Sequence, residues 1–298
     1  MSKVKKVILN WFLGIIGFAM MVGILFFQLE PGLPSTRIDD SGVTTKILSL
    51  PNGEYEGESN FGFLNGEGTF RFDTGEVYEG TWENHTMSGE GKLTSSLGNY
   101  EGSFVDSKKS GKGIFTWPDG MIYDGEWLDD AMNGKGKITT PSGIVYEGTF
   151  NNNVFEKGKI KAEKNGVKYD FTVTEGKLGD LVKITFANGT AYEGQYAEQQ
   201  ISGSGTMTFP GLGKYVGSFK NGKRDGDGVF TWTDGTKYDG EWENDLMDGQ
   251  GQYTFANGTY LTGIFQKGTL NGTYTYRNTV GTFKSTWANG KCTNIVLN

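Results

Sequence analysis

Ten tyrosines, Tyr55, Tyr78, Tyr100, Tyr123, Tyr146, Tyr169, Tyr192, Tyr215, Tyr238 and Tyr260, recur in steps of 22 or 23 residues. A fixed period of this length is the mark of stacked supersecondary units, each contacting only its neighbours. It leaves little room for a globular domain built any other way.

The surroundings repeat with the tyrosines. Glycine follows two positions later and an aromatic four positions later in Tyr78-Glu-Gly80-Thr-Trp82, Tyr100-Glu-Gly102-Ser-Phe104, Tyr123-Asp-Gly125-Glu-Trp127, Tyr146-Glu-Gly148-Thr-Phe150, Tyr215-Val-Gly217-Ser-Phe219 and Tyr238-Asp-Gly240-Glu-Trp242. Tyr55-Gly57 and Tyr192-Gly194 keep the first half of the pattern. Eleven and thirteen residues after most tyrosines stand two glycines, as in Gly66 and Gly68 or Gly89 and Gly91, and an apolar residue follows two later. Side chains at i, i+2 and i+4 share one face of a strand. Each unit therefore reads as two antiparallel strands with an aromatic face and a polar face. Five or six polar residues are expected to join them. Asp119-Gly120, Asn188-Gly189, Asp234-Gly235 and Asn257-Gly258 are expected to supply tight turns into the next unit. With 48 glycines and 14% aromatics, the composition suits ordered β-structure in which rings lie on bare glycine backbone.

The motif Y-x-G-x-[WF] followed by G-x-G-x-Φ resembles the MORN (membrane occupation and recognition nexus) repeat over about residues 45–280. The resemblance implies a single elongated, twisted antiparallel sheet of tandem hairpins. It also implies roles as scaffold, membrane-associated tether or homo-oligomer, without naming a partner. Units five and six, about 146–191, depart from the pattern: Gly158 is out of step, Tyr169-Asp-Phe171 lacks the glycine, and Asp180 and Val182 stand where glycines belong. Drift under weak constraint is one reading of this stretch; a bend or a partner-specific patch around 155–185 is the other, with Phe155, Lys157, Tyr169 and Phe171 as candidates.

Val7 to Leu29 contains no charged residue and is long enough as a helix to cross a ~30 Å hydrocarbon core. Lys3, Lys5 and Lys6 precede it, so the N-terminus is expected in the cytoplasm and the body outside. A cleaved signal peptide is the rival reading, against which stand the length of the apolar run and the lack of an A-x-A-like site after it. The expected organisation is a basic N-terminus at 1–6, a transmembrane helix at 7–29 and a linker at 30–44. A half-repeat cap at 45–54, a repeat array at 55–273 and a C-terminal cap at 274–298 complete it. All-β architecture behind one transmembrane helix is the expected fold class.

Chemistry is harder to place. Cys292 is the one cysteine and His85 the one histidine, so an intrachain disulfide, a clustered imidazole metal site and any Cys-His or Ser-His pair other than through His85 itself are excluded. His85 is expected as a surface side chain in a polar turn. Asp225-Gly-Asp227-Gly228 lacks the remaining ligands of a calcium loop and coincides with the repeat's own glycines. No catalytic residue, cofactor site or metal site is expected, and the chain is read as a non-enzymatic scaffold. Once the three N-terminal lysines are set aside, 25 basic residues face 35 acidic ones, and the remainder carries −10. Such a body repels nucleic acid. The expected partners are a bilayer at 7–29, another protein and a second copy of the chain. Two rival readings remain: a glycan-binding surface built on the aromatic rows, or a lipid-associated tether on the cytoplasmic side.

Overall fold

The computed structural model describes residues 35–38, 44–60 and 63–297. Over these residues the chain is all-β. Its 24 strands, from β1 (Ser35–Ile38) to β24 (Lys291–Leu297), belong to one antiparallel sheet. Among the described residues no helix is long and apolar enough to cross a membrane. The span expected at 7–29 lies outside them. Within the segment expected as linker, β1 pairs with β2 (Thr44–Leu50), so Ser35 faces Ile47 and Ile38 faces Thr44. The strands fall into two compact units. One ends at Ala162 and includes Val173–Lys177; the other comprises Glu163–Thr172 and the residues from Leu178 onward. The division falls inside the degenerate stretch.

In the first unit, β5 (Val77–Glu83), β6 (Thr86–Ser95) and β7 (Gly98–Val105) show how one repeat is made. β5 and β6 are joined by two residues, Asn84 and His85, with φ of 49° and 69°. Positive φ at both central positions defines a type I′ turn, whose twist matches that of the strands. The expected polar connection of five or six residues is therefore mostly strand. The Asp-Gly and Asn-Gly dipeptides do different work. At Trp117–Met121 the carbonyl of Trp117 accepts from Gly120 N at 2.9 Å, and Asp119 Oδ1 accepts from Met121 N at 2.9 Å. Gly120 alone has positive φ, 85°. This is a longer turn closed by an aspartate side chain rather than a two-residue I′ turn.

The two glycines of G-x-G also separate. Gly80 pairs with Gly91 and Trp82 with Met87, so Ser88, Gly89 and Glu90 oppose Thr81 alone. Gly89 takes φ of 64° to make this bulge. Gly91 is extended and lies beneath a ring: a Cβ added there would sit 2.4 Å from Tyr78 Oη. The same relation joins Gly68 to Tyr55, Gly113 to Tyr100 and Gly136 to Tyr123. In register, glycine faces glycine from Gly57 and Gly68 to Gly136 and Gly148. The tyrosines fill the lane this opens.

The second unit repeats the construction. Tyr192 lies over Gly205, Tyr215 over Gly228 and Tyr238 over Gly251. At its far end Tyr274, from a segment without the motif, covers Gly263 and donates to the Ile264 carbonyl at 2.5 Å. β24 pairs with β23 (Thr282–Ala288) and is exposed along its whole length.

Candidate interaction surface

A surface available to a partner is whatever the core does not consume, and the core consumes the aromatic face. Tyr55, Tyr78, Tyr100, Tyr123, Tyr192, Tyr215 and Tyr238 are all 0% exposed. Each hydroxyl donates to the backbone carbonyl three residues on, for example Tyr78 to Thr81 at 3.0 Å and Tyr192 to Gln195 at 2.7 Å. The rings meet edge to face in a running column: Tyr78–Trp82 at 5.1 Å, Tyr78–Phe104 at 5.1 Å, Tyr100–Phe104 at 5.0 Å and Tyr100–Trp127 at 5.3 Å. Tyr215–Phe219 at 5.1 Å, Tyr215–Trp242 at 5.3 Å and Tyr238–Trp242 at 5.2 Å continue the pattern in the second unit. Each such pair is worth about 0.5–1.5 kcal/mol beyond simple burial. The indole N–H of Trp82, Trp127 and Trp242 is satisfied by the carbonyls of Gly68, Gly113 and Gly228. Burial raises the tyrosine pKa values, to about 12 at Tyr192 and Tyr215.

Two cations sit on this aromatic side. Lys109, 2% exposed, occupies the place that Met87 and Met132 take in the neighbouring repeats. Its ammonium lies 3.3 Å from Asp130 Oδ1, 5.7 Å from the Tyr100 ring and 5.8 Å from the Trp127 ring. Arg224 is its counterpart in the second unit, 3.1 Å from Asp245 Oδ1 and 4.3 Å from the Trp242 ring. Both are satisfied internally, so they are packing devices rather than offered charges.

The I′ turns form one edge of each unit and are tied to one another. Asp130 Oδ1 accepts from Lys109 N at 3.0 Å, Asn153 Oδ1 from Met132 N at 2.8 Å, and Ser107 Oγ from Met87 N at 3.0 Å. His85 belongs to this series. Its Nδ1 accepts from Leu64 N at 3.4 Å and its ring lies 4.8 Å from Phe63. The expected surface histidine is therefore a half-buried turn clamp, and burial lowers its pKa.

The polar face is left. Its charges follow the register: Glu79 faces Lys92 and Lys92 faces Glu101. Lys137 lies between Asp124 and Glu147, and Glu147 faces Lys159. β10 (Ala131–Thr139), β11 (Val145–Asn151) and β12 (Val154–Lys164) hold six lysines, Lys135, Lys137, Lys157, Lys159, Lys161 and Lys164, against Glu147, Glu156 and Glu163. Lys161 bonds Glu147 at 2.9 Å. That bond, then the charges of Lys161, Lys137 and Lys159, hold the Glu147 carboxyl below its usual pKa.

The four candidates of the degenerate stretch go to different places. Phe155 is 1% exposed and packs on Phe150 at 5.1 Å. Phe171 is 8% exposed, stacked on half-buried Tyr169 and 5.8 Å from Tyr196. Lys157 alone of the four is exposed on the polar face, opposite Thr149. The two phenylalanines are core residues of their own units. Sequence reasoning missed Lys109, Arg224 and Tyr274, because none matches the residue type that the repeat calls for. Among the described residues no cluster of carboxylates, cysteine and histidine could hold a metal ion.

The MORN repeat family model matches seven segments, residues 55–77, 78–98, 100–122, 123–145, 192–213, 215–237 and 238–260, just over half of the chain. The unmatched interval 146–191 is the stretch where the motif degenerates. No curated protein matches the chain. Among solved structures, it is similar to the SAS-4 (dCPAP) TCP domain of Drosophila melanogaster, in complex with a proline-rich motif of Ana2 (dSTIL). The identity is 12%, over 72% of this chain and 96% of that one, with a TM-score of 0.16. At that score the likeness carries no structural argument.

Proposed function

The chain belongs to the MORN repeat family, and from that premise we propose that it is a non-enzymatic interaction scaffold anchored in a membrane through residues 7–29. Its repeat sheet stands on the extracytoplasmic side, where the polar face and the turns recruit another protein. One observation carries the scaffold reading. The repeats bury their own defining rings, so what they present is a recurring array of mostly polar and charged side chains, with exposed apolar residues such as Ile114 and Val216 among them. The anchor rests on the uncharged run Val7–Leu29, and its orientation on Lys3, Lys5 and Lys6 before it.

The glycan reading needs exposed rings. The rings that define this repeat are spent on packing: Trp82 and Trp242 are 5% exposed and Trp127 7%. This favours protein recognition.

Protease added to intact cells tests the topology. Digestion of the repeat body is expected, whereas a protected body would reverse the orientation. Crosslinking followed by affinity capture from membranes tests the scaffold role. A specific protein partner should be retained by the full chain and lost when the repeats are removed. Capture that persists without the repeats would overturn the reading.

A further inference from the structure

The geometry points to the lysine face of β10–β12 as a docking surface for an extended acidic segment of a partner protein, carrying carboxylates at alternate residues. This rests on the scaffold reading and names the chemistry of its partner.

The middle residue of the G-x-G motif shows how the charge is placed. Its side chain points to the polar face, so packing does not dictate its type. It is Glu67 and Glu90 in the first two repeats, Lys112 and Lys135 in the next two, and Ser204, Asp227 and Gln250 later. In the fifth unit, which lacks the first glycine, Lys157 takes the same place, facing Thr149 from one side as Lys135 does from the other. Lysine is thus concentrated in one part of a body that carries −10. The last of these lysines opens a further series. Lys157, Lys159 and Lys161 alternate along β12, all exposed, and face Thr149, Glu147 and Val145 of β11 in register. Lys135 and Lys137 stand exposed on β10, two strands away. Glu156 falls at the bulge between Phe155 and Lys157 and takes no register partner.

The spacings suit a strand. Alternate residues on β12 are about 6.6–6.8 Å apart, which is also the spacing of alternate carboxylates on an extended peptide. The rows on β10 and β12 are separated by about 9.6 Å, two strand spacings. An acidic strand laid along β12 would match three lysines and leave two more within reach of its flanks. A large anionic surface fits less well. A bilayer or a duplex meets the repulsion of the whole acidic body, whereas one strand meets chiefly the charges within about a Debye length, ~8 Å, where Lys157, Lys159 and Lys161 outnumber Glu147.

The test uses the full chain in neutral phosphatidylcholine nanodiscs. Three probes are compared: a labelled alternating Glu-Thr peptide read by fluorescence anisotropy, a peptide of equal composition with its glutamates in one block, and phosphatidylserine vesicles. The alternating peptide should bind best, and weaken at least tenfold when salt is raised from low to physiological. Lys157→Glu/Lys159→Glu should abolish binding, and Lys157→Gln/Lys159→Gln should weaken it about tenfold with the melting profile kept. Absence of binding at low salt, or equal binding by the glutamine variant, would overturn the proposal. Equal affinity for both peptides would remove the strand register from it, and a preference for vesicles would assign the face to a bilayer instead. If the glutamine variant still captures the protein partner while no peptide binds, this inference fails and the scaffold reading stands.

Discussion

Gly91→Ala is the sharpest probe of how this sheet holds together. The new Cβ would lie 2.4 Å from Tyr78 Oη and 2.6 Å from both Cε2 and Cζ. A normal contact needs roughly another 1 Å, so the ring must move. Tyr78 is 0% exposed, its hydroxyl is bonded to the Thr81 carbonyl, and its ring is wedged between Trp82 and Phe104. Displacement forfeits that hydrogen bond, about 0.5–1.5 kcal/mol. It also weakens two edge-to-face contacts of about 0.5–1.5 kcal/mol each. A total near 2–4 kcal/mol results, at the upper end of ordinary overpacking. Gly89→Ala is the matched control from the same motif. Its Cβ meets nothing nearer than Thr81 Oγ1 at 3.4 Å, so only the left-handed backbone is penalised, by about 1–2 kcal/mol. Denaturant midpoints, read alongside amide exchange of β5–β7 because repeat arrays need not unfold in two states, compare the variants. Adding Tyr78→Phe removes the nearest clashing atom and should shrink the Gly91→Ala penalty, giving a non-additive cycle. The reasoning fails if Gly89→Ala costs as much as Gly91→Ala, or if the two changes in the cycle simply add.

Two further outcomes follow from the buried groups. The phenols are neutral in the fold with raised pKa, so their stabilisation is full below the unfolded value near 10 and is lost as pH rises from there through the folded values. Ultraviolet titration should show tyrosinate forming together with loss of β-signal near pH 12; tyrosines titrating independently while the sheet persists would refute this. Lys109→Met restores the residue found at the equivalent sites Met87 and Met132 and should be neutral or mildly stabilising. Asp130→Ala, which leaves the buried ammonium and the Lys109 N–H without their acceptor, should cost about 2–3 kcal/mol. Calorimetric midpoints in the reverse order would contradict the assignment of Lys109 to packing.

The architecture was legible because period and alternation are linear properties. Tyr78, Gly80 and Trp82 declare a strand face by spacing alone, and the 23-residue step declares stacking. The turns were less legible. Asp-Gly suggests a I′ turn by type, yet the I′ turns use pairs such as Asn84-His85 and Asp129-Asp130, whose conformation is imposed by the register of the flanking strands. The two glycines of G-x-G look alike in sequence and differ only once a bulge is placed. Lys109 reads as a surface cation because its neutralising partner, Asp130, lies 21 residues on and reaches it only through the stacking of turns. For the candidate patch, Phe155 and Phe171 show that departure from a motif does not mean exposure: Phe155 faces Phe150 at the place that Met87 and Met132 take in other repeats, and Phe171 packs against Tyr196.

The bonds from each I′ turn to the one before it have a consequence for how such a chain can grow. Asp130 to Lys109 and Asn153 to Met132 each span 21 residues and Ser107 to Met87 spans 20, so every tie reaches one repeat along. Nothing in this arrangement measures total length. A duplicated segment of one whole step would find a bonding turn before it and offer one after it, so copies can be gained or lost without redesigning the rest. An insertion of a single residue within a strand would instead turn the side chains after it to the opposite face unless a bulge took it up. Selection on a gene of this kind should therefore tolerate changes in number far better than changes in phase.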